Sequence, residues 1–259
     1  PSLLDYYEVA LATRDVPRPR ELVTRYLTLV GGLLWPAPNT RIDVLLEAGV
    51  LARAFTFPTE DLYKCAIRVL VYLWQHKSYG VRFTGLIDNA DKIVAWVDSN
   101  WSTSRSITGG AIQMAGGNIW GISKRQDCAA GSSAHAELIA ASTVANEVTW
   151  TCGLADEIHH PQLSPVQLHM DNSAVYSLSR DFASCSKTRH ISRRQFSVRE
   201  KQHKSIVNTV KVDTSDNYAD MFTKVLTRIP FERFTKFLLN MAHVGATVVR
   251  PRNSVIVSR

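Results

Sequence analysis

No apolar run in these 259 residues is long enough to cross a bilayer; "YLTLVGGLLWPAP" at 26–38 comes nearest and is short and broken by proline. The N-terminus lacks the basic, apolar and small-residue pattern of a secretory leader, so no membrane partner and an intracellular site, cytoplasmic or nuclear, are expected. Cysteine is scarce. Cys65, Cys128, Cys152 and Cys185 are widely spaced, form no CxxC and stand near no histidine pair at zinc-ligand spacing, which predicts buried reduced thiols. Low-complexity tracts and internal repeats are absent too, and with 45% hydrophobic residues most of the chain is expected to pack a core. With Pro1 first and no initiator methionine, the chain reads as a piece of something longer.

The net charge of +7 is modest, and its clustering says more than its size. Lys187, Arg189, Arg193, Arg194, Arg199, Lys201 and Lys204 follow one another with only Glu200 opposing them. Such a stripe suits a polyanion such as nucleic acid, although a solvated helix face has the same composition.

Residues 1–24 read as an irregular lead-in, with "DVPRPR" as a proline-broken linker. Helical periodicity then runs over 21–35, 41–55 and 58–77, giving a small helical segment at 25–84. In the last of these helices Thr59 is a start signal, and Leu62, Ala66, Val69, Leu70 and Leu73 form the apolar face. Strand-like runs follow at 92–98, 107–114 and 118–123, then a helix at 133–152, a strand at 166–170, a helix at 172–180 and the basic helical stretch. A strand at 205–212 and helices over 216–240 close a domain spanning 85–240, and 241–259 is left as a tail. Three consecutive antiparallel strands followed by alternating elements predict an α/β fold with a mixed five-stranded sheet flanked by helices. Gly109-Gly110 and Gly116-Gly117 fit hairpin turns, and the six tryptophans fit a core, with Trp101 the one placed to reach a substrate.

Four acids stand at equivalent places in this order. Asp98 follows the apolar run "KIVAWV", Asp171 follows "VQLHM", Glu137 lies in the first turns of the helix after the meander, and Asp220 starts the helix after the last strand. Ligands gather at strand ends in such sheets. Brought together, four carboxylates repel unless cations neutralise them, and hard oxygen donors suit Mg²⁺, with Mn²⁺ able to substitute. Two such ions are the apparatus of phosphodiester hydrolysis.

The pieces "VDSNW", "RSITGG", "SSAHAELIA", "HMDNSA", "SKTRHISRR", "FSVREK" and "NYADMFTKVL" make residues 92–226 resemble the ribonuclease H domain of copia-type LTR retrotransposon Pol polyproteins. The helical segment resembles the end of the reverse transcriptase and its connection, just upstream in those polyproteins. The resemblance implies a ribonuclease H-like fold and a two-metal endonuclease that cleaves the RNA strand of RNA–DNA hybrids. It places Asp98, Glu137, Asp171 and Asp220 as catalytic metal ligands, and Ser133, Asn172, Lys187, Arg189, His190, Arg193 and Arg194 at the substrate. The rest of the reverse transcriptase polyprotein is the implied protein partner. The chain departs from the family at His135, where a second acid is usual, and at Ser192, where an aspartate is common after "RHI". Its loop after "DSNW" is also shorter than usual, and no histidine stands near Asp220 where some ribonucleases H keep one.

Two other functions share some of these features. Integrases and transposases take their glutamate from a late helix, whereas Glu137 stands between Asp98 and Asp171. A catalytically silent, retroelement-derived nucleic-acid-binding or scaffold module fits the absence of the aspartate pair with which a reverse transcriptase holds its metals. Such a module has no reason to keep four mutually repelling carboxylates.

Overall fold

The computed structural model describes residues 1–83, 92–102, 105–162, 164–180 and 193–241. Five strands form one sheet: β1 (Val94–Asn100), β2 (Ile107–Met114), β3 (Gly117–Arg125), β4 (Val166–Met170) and β5 (Val207–Lys211), in the order β3-β2-β1-β4-β5. The first three are antiparallel neighbours, as a meander requires. β4 and β5 run parallel to β1, because a helical crossover precedes each of them. The mixed five-stranded sheet expected from the element order is present.

The β2–β3 turn is made by Ala115 and Gly116, both at positive φ (52° and 76°), and Gly117 already belongs to β3. Gly109 and Gly110 are not turn residues. They lie inside β2, where the sheet is covered on both faces. A Cβ on Gly110 would stand 2.4 Å from Val144 Cγ2, and one on Gly109 would stand 2.6 Å from Thr223 Cγ2. Glycine is needed there for close approach.

The long helix α6 (Ser133–Glu157) covers one face of the sheet. Its buried side is rich in alanine (Ala136, Ala140, Ala141, Ala145), which lets it lie close to Ile93, Ala95 and Val97 of the central strand region and Ile112 of β2. Two further helices, α7 (Ser173–Arg180) and α8 (Arg193–His203), connect β4 to β5. The other face meets α9 (Arg228–Leu238) and a 3-10 turn at Tyr218–Phe222, through Trp96, Phe222, Phe234 and Leu238.

The N-terminal helices are α1 (Leu3–Ala12), α2 (Arg20–Leu33), α3 (Pro36–Asn39), α4 (Leu45–Ala52) and α5 (Glu60–Gln75). Residues 3–12, expected to be irregular, are helical because Ser2 and Asp5 form a reciprocal capping box: Asp5 N–H donates to Ser2 Oγ (3.3 Å) and Ser2 N–H to Asp5 Oδ2 (2.7 Å). Thr59 caps α5 as its position predicts, accepting from Leu62 N–H at 3.3 Å. Leu62, Ala66 and Val69 are buried, but Leu70 is exposed, because Cys65 takes the inward place. Tyr26 locks α2 to α4 through a buried bond from its hydroxyl to the Leu51 carbonyl (2.7 Å).

This helical segment is docked on the sheet. Ile42 lies over Gly121, where any Cβ would stand 2.2 Å from Ile42 Cδ1, and Gly49 approaches the Ser123 carbonyl. Trp35, Trp74 and Trp150 are exposed rather than part of the core, whereas Trp96 is buried between Tyr218 and Phe237. Among the cysteines, Cys65 is buried as expected, Cys128 is exposed, and Cys185 lies outside the described residues. No described helix is long and apolar enough to cross a membrane.

Candidate active site

Strand β1 does not stop before Asp98. It continues to Asn100, with Asp98 paired to Gly109 of β2. The aspartate therefore projects from regular, covered sheet and is only 1% exposed. By alternation it shares a face with Trp96, toward the turn at Tyr218–Phe222. On the parallel side, Trp96 pairs with His169, so two residues further on Asp98 lies abreast of Asp171, just past the end of β4.

Glu137 approaches from the first turns of α6. Ser132 caps this helix by accepting from His135 N–H (3.1 Å), and His135 Nδ1 accepts from Gly131 N–H (3.2 Å). His135 therefore closes the loop that starts α6. One ligand oxygen from each of Asp98, Glu137 and Asp171 lies within 4.8 Å of the others. Burial first, then the charges of Asp98 and Asp171, push the Glu137 carboxyl up to about 9, against the counteracting pull of Lys224 and a hydrogen bond from Ser99 N–H.

Asp220 comes from the 3-10 turn Tyr218–Phe222, not from the start of an α-helix; α9 begins only at Arg228. Asn217 pins this turn to β1 by donating from Nδ2 to the Val97 carbonyl at 3.1 Å, beside Asp98. Asp220 is 6% exposed, and burial and Asp98 push its carboxyl up to about 7. Two neighbours on the same turn complete the site. Thr223 donates its hydroxyl to Asp98 Oδ2. Lys224 Nζ lies 2.9 Å from Asp220 Oδ1 and 3.5 Å from Asp98 Oδ2. Burial alone would lower Lys224, but the surrounding carboxylates outweigh it and hold its ammonium above the ordinary lysine value. Neither residue was singled out from sequence, although both stand inside the quoted motif "NYADMFTKVL"; the i,i+4 spacing of Asp220 and Lys224 was the available signal.

The donor set is all carboxylate, mutually repelling and largely buried, which fits hard divalent cations such as Mg²⁺ and Mn²⁺. Of the expected substrate residues, Ser133 is exposed at the first position of α6. Asn172 caps α7 through Oδ1, accepting from Ala174 N–H (2.9 Å) and Val175 N–H (3.2 Å). Lys187, Arg189 and His190 lie outside the described residues, as do the side chains of Arg193 and Arg194, whose backbone opens α8.

The described part of the basic stripe is not a free cationic face. Arg199 is buried and donates from Nε (3.0 Å) and Nη2 (2.7 Å) to the Leu178 carbonyl near the end of α7. Lys201 bonds Asn146 of α6 and Ser197 (both 2.7 Å), and Lys204 pairs with Glu200 (2.6 Å). Trp101 is half exposed and donates its indole N–H to Ala130, beside the loop before Glu137.

A meander followed by two parallel strands, with acids on the adjoining ends of β1 and β4 and on the covering helix, is a ribonuclease H-like fold. The relatives sharpen this. The chain is 29% identical over 212 residues to a retrovirus-related Pol polyprotein from transposon TNT 1-94 of Nicotiana tabacum, covering 80% of this chain and 16% of that protein. It is 27% identical over 217 residues to the corresponding polyprotein from transposon RE2 of Arabidopsis thaliana, covering 82% of this chain and 15% of that protein. A secreted RxLR effector protein 161 of Plasmopara viticola is 31% identical over 129 residues, covering 48% of this chain and 89% of that protein. The chain is thus homologous to a stretch of copia-type Pol polyproteins from plant transposons, and spans about one-sixth of the length of the Nicotiana relative. No family model matches it. A solved ribonuclease H1 isolated from compost overlaps 51% of this chain and 93% of its own, at 14% identity and a TM-score of 0.41, a likeness too loose to carry an argument.

Proposed function

We propose that the chain is the ribonuclease H unit of a copia-type Pol polyprotein and hydrolyses the RNA strand of RNA–DNA hybrids with two divalent metal ions, Mg²⁺ or Mn²⁺. The observation that carries this reading is the convergence of Asp98, Glu137 and Asp171 within 4.8 Å, with Asp220 beside Asp98. When bound, the ions supply an activated water and charge for the leaving oxygen. The protein's own part is to hold the oxygen donors in place. β1 and β4 fix the two aspartates side by side, Ser99 N–H orients Glu137, and Thr223 orients Asp98. Ser133, Asn172, Lys187, Arg189, His190, Arg193 and Arg194 are the proposed hybrid contacts.

Residues 25–84 are proposed as the reverse transcriptase end and connection, and 85–240 as the nuclease domain. The remainder of the polyprotein is the proposed partner, and the cytoplasm or nucleus, where hybrids would form, the proposed place of action. The similarity to a protein named as a secreted effector gives the silent-module reading one observation of its own. The intact carboxylate cluster favours the nuclease.

Incubation of the chain with an end-labelled RNA–DNA hybrid, in Mg²⁺ or Mn²⁺ and in chelator, tests the proposal. Cleavage of the RNA strand that requires metal supports it. An intact hybrid in both metals, with the protein folded, overturns it in favour of the silent module.

A further inference from the structure

Lys224 stands in an unusual place for a site built to gather cations. Its ammonium lies between Asp220 Oδ1 (2.9 Å) and Asp98 Oδ2 (3.5 Å), and that same Asp98 oxygen also accepts from Thr223. The backbone holds it there. Lys224 N–H donates to the Asp220 carbonyl (2.9 Å), and Asn217 anchors the whole turn to Val97 (3.1 Å), so lysine and aspartate arrive at β1 as one unit. The side chain is still 39% exposed, which leaves it a path outward.

The three other acids form a compact group without it. Asp98, Glu137 and Asp171 can offer one oxygen each to a single ion, whereas Asp220 is outside that triad and bound to Lys224. A second ion would sit about 4 Å from the first and share a carboxylate with it. Asp98 and Asp220 are the pair available for sharing, and the ammonium bridges them.

Charge points the same way. Taken as ionised, four carboxylates and one ammonium carry a formal −3, which one divalent ion reduces to −1 and a second reverses to +1. Without the lysine, two ions neutralise the site completely. Coulomb repulsion between an ammonium and an ion a few ångströms away, in a partly buried site, opposes the second ion strongly.

We infer that Lys224 is a built-in substitute for the second cation: at rest the site takes one divalent ion at Asp98, Glu137 and Asp171, and a second enters between Asp98 and Asp220 only when the Lys224 ammonium swings out. This inference rests on the metal-dependent reading of the site and specifies its regulation. Lys224 is thereby a positioning residue that sets the order of metal loading. The entering phosphate of a nucleic acid is an anion of the right chemistry to draw the ammonium outward.

The test reads metal stoichiometry, not cleavage, so it is independent of the nuclease assay. Calorimetric titration of Mn²⁺ into the full chain is expected to show one ion per chain, and two for Lys224→Met, with the second site at least about tenfold tighter than any second step in the unmutated chain. Equal stoichiometry and affinity in the two proteins, including no binding in either, overturn the inference. Should Lys224→Met not fold, the unmutated chain supplies the answer. Reductive methylation of Lys224, followed by mass spectrometry, should quicken at Mn²⁺ concentrations above saturation of the first site if the ammonium is displaced. A rate that does not change with Mn²⁺ overturns it. A chain that passes either test but cleaves no hybrid keeps the inference and loses the ribonuclease assignment.

Discussion

Asp43 and Asp98 are both almost wholly buried, yet their surroundings are opposite. Asp43, in the helical segment, receives Arg41 in a two-pronged pair (Nε–Oδ1 3.0 Å, Nη2–Oδ2 2.8 Å) and the Tyr72 hydroxyl (2.7 Å), while Arg41 also donates to the His76 carbonyl (3.1 Å). Asp43 there is bonded directly to one base, and each remaining hydrogen bond ties neighbouring helices together. Asp98, at the sheet, lies among two other carboxylates within 4.8 Å and shares a single lysine with Asp220. The first arrangement is complete as it stands. The second carries excess negative charge that the protein's own groups do not neutralise, and such an excess marks a site made for something that is not part of the chain.

Substitutions should separate the two acids cleanly. Asp98→Asn keeps the shape and removes a charge. Hybrid cleavage should fall by about three orders of magnitude, since charge placement supplies much of the rate in such sites. Its melting temperature in chelator should be unchanged or higher, because a repelling neighbour is gone. Cleavage within tenfold of the unmutated chain would erase the contrast between the two acids.

Asp43→Ala should do the reverse. It leaves Arg41 buried without its partner, a loss of about 3–5 kcal/mol in urea unfolding, with cleavage per folded molecule little altered. A loss below about 1 kcal/mol would show that the Arg41 pair does not hold the helical segment.

Gly109→Ala probes the geometry between these extremes. Its Cβ would meet Thr223 Cγ2 at 2.6 Å and the Ala219 carbonyl at 2.9 Å, so the turn carrying Asp220 and Lys224 must move off β2. Overpacking of this kind costs about 1–3 kcal/mol. Activity should fall more than stability does, as measured by cleavage and urea unfolding on the same preparation, and an unaffected cleavage rate would show that the turn's approach is not critical.

The last comparison concerns pH, where no residue is changed. Glu137 is raised from 4.5 to about 9 and Asp220 from 3.8 to about 7, both chiefly by burial. The metal-free folded chain thus keeps protons that the unfolded chain has released. This contribution is whole at acid pH, below the unfolded values, and is lost as pH rises through about 7 and then about 9. Thermal melts in chelator should therefore decline from pH 5 to pH 9, and saturating Mg²⁺ should flatten the decline. Equal slopes with and without Mg²⁺ would show that the ion does not reach these carboxylates.

Much of this fold is legible in the sequence. Alternation along "KIVAWV" placed β1 within two residues of its start, and β2 and β4 fall at 107–114 and 166–170 as periodicity indicated. Periodicity reports which side chains face a core, so it locates element interiors well. It missed α1, whose signal is the Ser2–Asp5 capping box, and it read Gly109-Gly110 as a turn. A glycine pair in a strand and a glycine pair in a turn are the same two letters; only the bodies packed above and below β2 distinguish them. For the described end of the basic stripe, at Arg199, Lys201 and Lys204, composition is silent for a related reason. Composition counts charges, but Arg199 spends its guanidinium on the Leu178 carbonyl, and Lys201 is taken up by Asn146.

The sequence by itself determined the order of elements and the four acids, because hydrophobic period and position relative to strand ends are local properties of the chain. Tertiary structure alone decided what those acids face. Asp98 and Lys224 are far apart in sequence, and no pattern in either segment states that the Asn217-anchored turn folds back across β2 to set an ammonium beside the strand's carboxylate. That contact depends on Gly109 leaving room and on the packing of Trp96 with Tyr218, both long-range outcomes of packing rather than of local preference.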